Sequence, residues 1–317
     1  MSVPSGSRPR RRAFGAALVV LVAWACVGRA AEPAHCTAIV LRGGAGAAEE
    51  ALVAGIRDGV GHRGIALDVR AVPADETAAR AAVTAALADR PCALVTVGPG
   101  PTRLAAGATK RIPIVATLVM VGSLPAQRPN LTGVSLDFPL AVQLGWLQRI
   151  LPDRRIVGLL YDPAQNARTA AALTRLAVDR QLTVVERTVS EPVEIPAALE
   201  VIAQRAEVLF AIPDTLVLSR ETAQALLVFS FQNRVPFVGL SDAWVKAGAL
   251  YALERDYEDV GAQAAAMVTR VVGGEDPGAI PIEAPRRAVY VLNRRAAEQM
   301  KIHLDRSILE RASHVYE

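Results

Sequence analysis

Three cysteines in 317 residues are too few for a disulfide-dense mini-domain. No Cys-x-x-Cys is present, and the four histidines (His35, His62, His303, His314) form no pair at metal-finger or helical spacing. Gly-x-Ser-x-Gly and His-Glu-x-x-His are absent, as is a loop ending in Gly-Lys-Ser/Thr. Gly107-Ala108-Thr109-Lys110 has the wrong order for such a loop. These absences remove the common nucleophile, zinc and nucleotide chemistries, so no enzyme, metal or cofactor is expected. Aromatics make up only 4%, while 52% of residues are apolar, which excludes a disordered chain. No segment after residue 30 is long and apolar enough to span a membrane.

The formal net charge is +4, with 35 Lys and Arg against 31 Asp and Glu. Five of the basic residues (Arg8, Arg10, Arg11, Arg12, Arg29) and no acid lie in residues 1–30. The remainder carries 30 basic and 31 acidic residues, so its own charge is near zero. A nucleic-acid partner is therefore not expected, although the whole-chain pI of 9.2 points that way.

Residues 1–30 read as an address. Arg10–Arg12 give a positive start, Ala13–Val27 an apolar run, and Gly28-Arg29-Ala30 small residues ahead of a cut before Ala31. This is the layout of a secretory signal, so a periplasmic, exported protein is expected. Arg11-Arg12-Ala13-Phe14 resembles a twin-arginine motif, and Ala23-Trp24-Ala25-Cys26 loosely resembles a lipid-anchor box at Cys26. Arg10 stands where the twin-arginine motif usually has Ser or Thr, and the anchor box has bulky Trp24 and no leading Leu, so ordinary cleavage near Ala30 is expected.

Apolar β-rich runs alternate with helical patterns through the rest of the chain. The strands read are Cys36–Leu41, Ile65–Val72, Cys92–Val97 and Ile112–Leu118. A second series is Arg155–Tyr161, Leu182–Thr188, Glu207–Ile212 and Val235–Leu240, followed by Ala249–Leu253 and Ala288–Asn293. Continuous apolar runs such as Val157-Gly158-Leu159-Leu160 mark strands covered on both faces. The expected fold class is α/β, with two doubly wound parallel-sheet lobes. Their join is Asn130–Pro152, a connection containing Leu131–Ser135 and a helix up to Ile150. Asp256 has the type and place of an N-cap for a helix ending at Gly273-Gly274.

In strand order 2-1-3-4, strands one and three are neighbours. Cys36 and Cys92 then open adjacent parallel strands in bridging range. A Cys36–Cys92 disulfide is expected at the edge away from the ligand, with two buried free thiols as the alternative.

Ligands of such sheets sit at the carboxyl ends of the strands. Gly44-Ala45-Gly46 follows strand one like a dinucleotide turn. Glu49 stands where a third glycine belongs, and Asp68 lies inside strand two, so a nicotinamide is not expected. Gly98-Pro99-Gly100-Pro101-Thr102 follows strand three and opens a helix, which suits either a carboxylate or a rigid turn. In the second series, Asp162 follows the first strand, Asp214 the third, and Asp242 and Trp244 the fourth. Helix capping explains each acid equally well. Together they point to an amino group or hydroxyls on Asp and a ring or cation on Trp244. The candidate ligand set is Gly98, Gly100 and Thr102, with Gly44 in reserve, opposite Asp162, Asp214, Asp242 and Trp244. That asymmetry suits a zwitterion.

The chain from Ile112 onward also carries a resemblance. Asn130-Leu131-Thr132-Gly133-Val134-Ser135, Leu151-Pro152-Asp153-Arg154-Arg155, Ile212-Pro213-Asp214, Val245-Lys246-Ala247-Gly248-Ala249 and Asp256-Tyr257 are its main pieces. With Gly273-Gly274-Glu275 and Ile308-Leu309-Glu310-Arg311-Ala312, the set resembles the ABC transporter substrate-binding protein family related to tryptophan-binding TrpX proteins. It departs at cleft-facing loops: Gly43–Gly46 replaces a His-Pro-rich stretch, and Glu254 stands for a glycine.

The resemblance implies a type I periplasmic-binding fold with three crossovers. Lobe I would hold residues 31–145 plus about 254–275, and lobe II residues 146–253 plus about 276–317. It further implies a monomer that captures a small polar molecule, such as an amino acid, for an ABC permease. An extracytoplasmic sensor for a receptor or kinase uses the same lobes and stays open as an alternative.

Overall fold

The computed structural model describes residues 36–125 and 129–317. The address segment, with its cleavage, twin-arginine and Cys26 readings, lies outside them. Twelve strands and eleven α-helices alternate within the described residues. The first sheet contains β1 (Thr37–Arg42), β2 (Ala66–Ala71), β3 (Ala93–Val97), β4 (Ile114–Val119) and β5 (Leu131–Ser135). Between them run α1 (Ala47–Gly61), α2 (Glu76–Ala88) and α3 (Pro99–Ala108). The second sheet contains β6 (Ile156–Tyr161), β7 (Thr183–Thr188), β8 (Val208–Phe210), β9 (Phe237–Gly239), β10 (Tyr251–Arg255), β11 (Ala288–Asn293) and β12 (His314–Tyr316). Its helices are α4 (Leu140–Ile150), α5 (Pro163–Asp179), α6 (Ile195–Arg205), α7 (Arg220–Asn233), α8 (Asp242–Ala247), α10 (Arg294–Gln299) and α11 (Arg306–Glu310). The remaining helix, α9 (Tyr257–Val272), follows β10 in the chain but packs on the first sheet.

The strand orders are β2-β1-β3-β4-β5 and β12-β11-β10-β9-β8-β6-β7. Alternation of side chains gives each sheet two apolar faces. Val40, Val95 and Val115 face α1 and α9, while Ile39, Leu94 and Ile114 face α2 and α3. In the second sheet Leu159, Phe210 and Val238 face α4 and α5, while Leu160, Leu209 and Phe237 face α6 and α7.

Two features depart from the sequence reading. Leu131–Ser135 is a fully buried strand rather than part of a connection. Gly133 disguised it, because glycine weakens a strand pattern. A Cβ there would lie 2.0 Å from the Ala116 carbonyl oxygen, so the close approach to β4 needs glycine. The second sheet is also not wholly parallel. β11 runs antiparallel to β10, and β12 follows β11 in parallel. The reason is that the chain leaves the second sheet at the Arg255 end of β10 and re-enters at that same end, where Ala288 pairs with Arg255, so β11 must run back the other way.

α9 makes that excursion possible. Its Asp256 cap accepts from the Asp259 N–H at 3.1 Å, and the helix stops at Gly273. It crosses α1 at glycine contact distance: a Cβ on Gly55 would lie 2.1 Å from the Glu258 carbonyl, and one on Gly261 2.2 Å from that of Leu52. The returning segment pairs with β5 through Ser135 N–H to Glu283 O at 2.9 Å and Glu283 N–H to Gly133 O at 3.0 Å. The chain thus passes between the sheets after β5, after β10 and before β11.

Cys36 and Cys92 form the expected disulfide, with Cα atoms 5.6 Å apart. It joins the entrances of β1 and β3, which pair from Ala38 and Ala93 onward.

Candidate functional site

A cavity of about 210 Å³ lies where the two sheets meet. Residues after β4 and β5 (Met120, Leu136, Asp137) form one wall, and residues of β8, β9 and β10 form the other. Phe138 and Gln143, at the start of α4, close one end. This volume is below the roughly 300–1,000 Å³ of drug-sized pockets, so it suits one small solute.

Period-two alternation in β10 builds the second wall. Tyr251, Leu253 and Arg255 share one side and all line the cavity. Ala252, between them, packs on the other side against Val245 and Val291. From β8 and β9, Phe210 and Val238 supply apolar surface.

Arg255 brings the positive charge. Its Nε and Nη2 donate to the Leu136 carbonyl at 3.0 and 2.6 Å, and the guanidinium lies 4.9 Å from the Phe138 ring centroid. Nη1 is 3.8 Å from Glu254 Oε2, a distance that leaves its hydrogens poorly used. Guanidinium carries five N–H donors, so the Leu136 contact leaves capacity for a carboxylate. Asp137 brings the negative charge one residue from that carbonyl. Its Oδ2 accepts from the Val121 N–H at 2.8 Å. Glu254, on the opposite side of β10, is held by the Asp242 N–H at 2.8 Å and the Tyr257 hydroxyl at 3.3 Å. Burial, and then the nearby Glu254 charge, push the Tyr257 phenol above its ordinary pKa.

The Tyr251 side chain is 1% exposed, and its hydroxyl has no hydrogen-bond partner among the described residues. Burial pushes its pKa strongly upward, so it stays a neutral phenol.

None of the eight ligand residues expected from sequence lines this cavity. Gly44 lies in the turn before α1, where a Cβ would meet the Glu49 carboxylate at 2.6 Å. Gly98 has φ +88°, and its N–H donates to Thr117 O at 2.9 Å. Pro99 and Pro101 have no N–H, so among the first three positions of α3 only Gly100 has one to offer. The Thr102 hydroxyl is 2.8 Å from that of Thr96 and donates to Gly98 O at 2.7 Å.

In the second sheet, Asp162 caps α5 by accepting from the Ala164 N–H and from Gln165 Nε2, both at 2.8 Å. Asp214, 5% exposed, accepts from the N–H groups of Asp162, Leu216 and Val217 and from Asn166 Nδ2. Asp162 and Asp214 are thus brought together, in one closed turn cluster. Asp242 accepts from the Tyr316 hydroxyl at 2.8 Å. Trp244 packs edge-on against Phe237, with centroids 5.4 Å apart.

Sequence reasoning did not single out the cavity-lining residues Arg255, Tyr251, Asp137, Phe138 and Gln143. One signal was present: Leu136-Asp137-Phe138-Pro139 directly follows an apolar run and precedes a helix, as the chosen turns do. Arg255 stood just before a cap residue and read as the polar end of a strand.

Comparison with known proteins agrees with this architecture. Residues 45–316 match the family model described as ABC transporter substrate binding protein. A tyrosine-binding protein of Clostridioides difficile is 25% identical over 210 residues, 62% of this chain and 60% of that protein. The chain thus spans about three-fifths of the length of that curated relative. A crystal structure of a conserved domain protein from Vibrio cholerae is 26% identical with a TM-score of 0.57, covering 88% of this chain and 99% of the other. The ligand-free, open structure of a substrate-binding protein with adhesive properties from Clostridium difficile is 18% identical with a TM-score of 0.72, covering 89% and 99%. These are folds of the type I periplasmic-binding kind.

Proposed function

The chain belongs to the ABC transporter substrate-binding protein family, and on that premise we propose that it captures an amino acid or close relative between its sheets and delivers it to an ABC permease. The observation that carries this reading is the cavity between the sheets, with Arg255 and Asp137 on its wall and apolar surface beyond. Arg255 receives the carboxylate with donors that Leu136 leaves free, and Asp137 receives the ammonium group. The name of the Clostridioides difficile relative supports the same ligand class.

Walls from both sheets matter for mechanism. A ligand that touches both favours the arrangement in which they are close, by its differential affinity for that arrangement. The disulfide and the address segment at residues 1–30 support work outside the cytoplasm. The protein is read as a carrier rather than a catalyst.

Thermal denaturation with each amino acid and with neutral sugars tests the proposal. A ligand at one hundred times its Kd adds about 2.7 kcal/mol to stability. We expect at least one amino acid to raise the melting temperature by several degrees. Stabilisation by sugars alone would overturn the reading.

A further inference from the structure

We propose that Tyr251 determines specificity, its hydroxyl pairing with a polar atom at the far end of the ligand's side chain. This rests on the amino-acid reading above and extends it to the part of the ligand that differs between amino acids.

The chain has five tyrosines, and four of them close their hydroxyls on the protein. Tyr161 donates to Glu186, Tyr257 to Glu254, Tyr290 to the Ile308 carbonyl and Tyr316 to Asp242. Tyr251 is the most buried of the five and has no such partner among the described residues. A buried hydroxyl without a partner is strongly disfavoured, and phenylalanine would occupy the same space without that penalty. Tyr251 is also one of the residues that line the cavity proposed to take the ligand. A ligand whose entry opens the packing around the hydroxyl, which has almost no exposed surface, would supply the missing partner.

Geometry narrows the ligand. Tyr251 and Arg255 share one side of β10 four residues apart, a rise of about 13 Å along the strand. Arg255 is partly exposed, at 17%, and Tyr251 is fully enclosed. Leu253 stands between them, with Phe210 and Val238 alongside. The ligand then has its carboxylate at the outer end, an apolar body, and a hydrogen-bonding atom at the inner end. Such a site discriminates sharply, because an analogue lacking that atom leaves the phenol unpaired.

L-Tyrosine and L-phenylalanine are the probes, since they differ only by a terminal hydroxyl. Calorimetric titration of the exported chain is expected to give at least tenfold tighter binding of L-tyrosine. Tyr251→Phe should lose that preference, the two probes then binding with similar affinity. Arg255→Gln should weaken both by a similar factor. Equal affinity of the unsubstituted protein for the two probes would overturn the assignment and leave the amino-acid reading standing. So would an unchanged preference in Tyr251→Phe. The first comparison needs no variant, so a folding defect cannot mask it. If neither probe binds, the assignment falls; if no amino acid stabilises the protein either, the amino-acid reading falls with it.

Discussion

The turns that follow β6 and β8 direct their polar groups at one another, whereas the inward side of β10 leaves some of its own open. In the first region Asp214 alone takes up four donors. In the second, the Tyr251 hydroxyl has no partner among the described residues and Arg255 keeps donors beyond those on Leu136. An acid at a strand–helix turn is a structural part when its lone pairs are filled from its own chain. A group that keeps unfilled capacity in a cavity is the better ligand contact. Type and position along the strand do not separate the two cases; hydrogen-bond closure does.

The sharpest way to break this contrast is Asp214→Ala. It strips partners from the Asp162, Leu216 and Val217 N–H groups at a site that is 5% exposed. Each buried donor left unpaired costs about 1–3 kcal/mol, so a loss on the order of 3–5 kcal/mol is expected. Urea denaturation measures it. A variant that keeps its stability but loses its ligand would move Asp214 from the closed region to the open one.

Next is the disulfide, which lies at the strand entrances, away from the cavity. The loop closed by Cys36 and Cys92 spans a separation of 56 residues. Chain entropy assigns such a loop up to about 4 kcal/mol, and measured values commonly run lower. Replacing both cysteines by serine should lower stability by about 2–4 kcal/mol and leave ligand affinity unchanged. A large affinity change would show that the first sheet's strand entrances are coupled to the cavity.

Much of the fold was legible because burial writes itself into period and composition. Ile39-Val40-Leu41 and Val157–Leu160 announced two-sided strands, and Asp256 with Gly273 bracketed α9. The direction of β11 was not legible, because α9 packs on the other sheet and the return path decides the orientation. The closing of Asp162 and Asp242 was half legible, since capping already accounted for them. Arg255 was not legible as a residue lining the cavity. Its orientation depends on the Leu136 carbonyl, 119 residues away, and no local pattern encodes that contact. The two prolines flanking Gly100 were visible throughout, and they limit the donors that α3 can offer.

A third experiment compares buried tyrosines of one sheet. Burial, and then the hydrogen bond to Glu186, push the Tyr161 phenol up to about 12. A raised folded-state value stabilises below the unfolded value of about 10, and the stabilisation is lost as pH rises toward 12. Tyr161→Phe should therefore cost about 1–2 kcal/mol at pH 8, the worth of a hydrogen bond to a charged group. The gap should close between pH 10 and 12 in parallel denaturation curves. A gap independent of pH would mean that Tyr161 contributes through packing alone.

The smallest effect tests the open region itself. In the ligand-free protein, Tyr251→Phe removes a hydroxyl that has no partner and keeps the ring that packs beside Leu253 and Phe210. Losing the hydrogen bond therefore costs nothing, and the burden of burying an unpaired polar atom disappears. Stability should stay level or rise by up to about 1 kcal/mol, a few degrees at most in melting temperature. The same change at Tyr290, whose hydroxyl donates to Ile308 O at 2.8 Å, should cost about 1 kcal/mol. Opposite signs for two phenols in neighbouring strands would separate a structural hydroxyl from one held in reserve. Equal losses would mean that Tyr251 has a partner in the free protein, such as a buried water, and the contrast between the regions would dissolve.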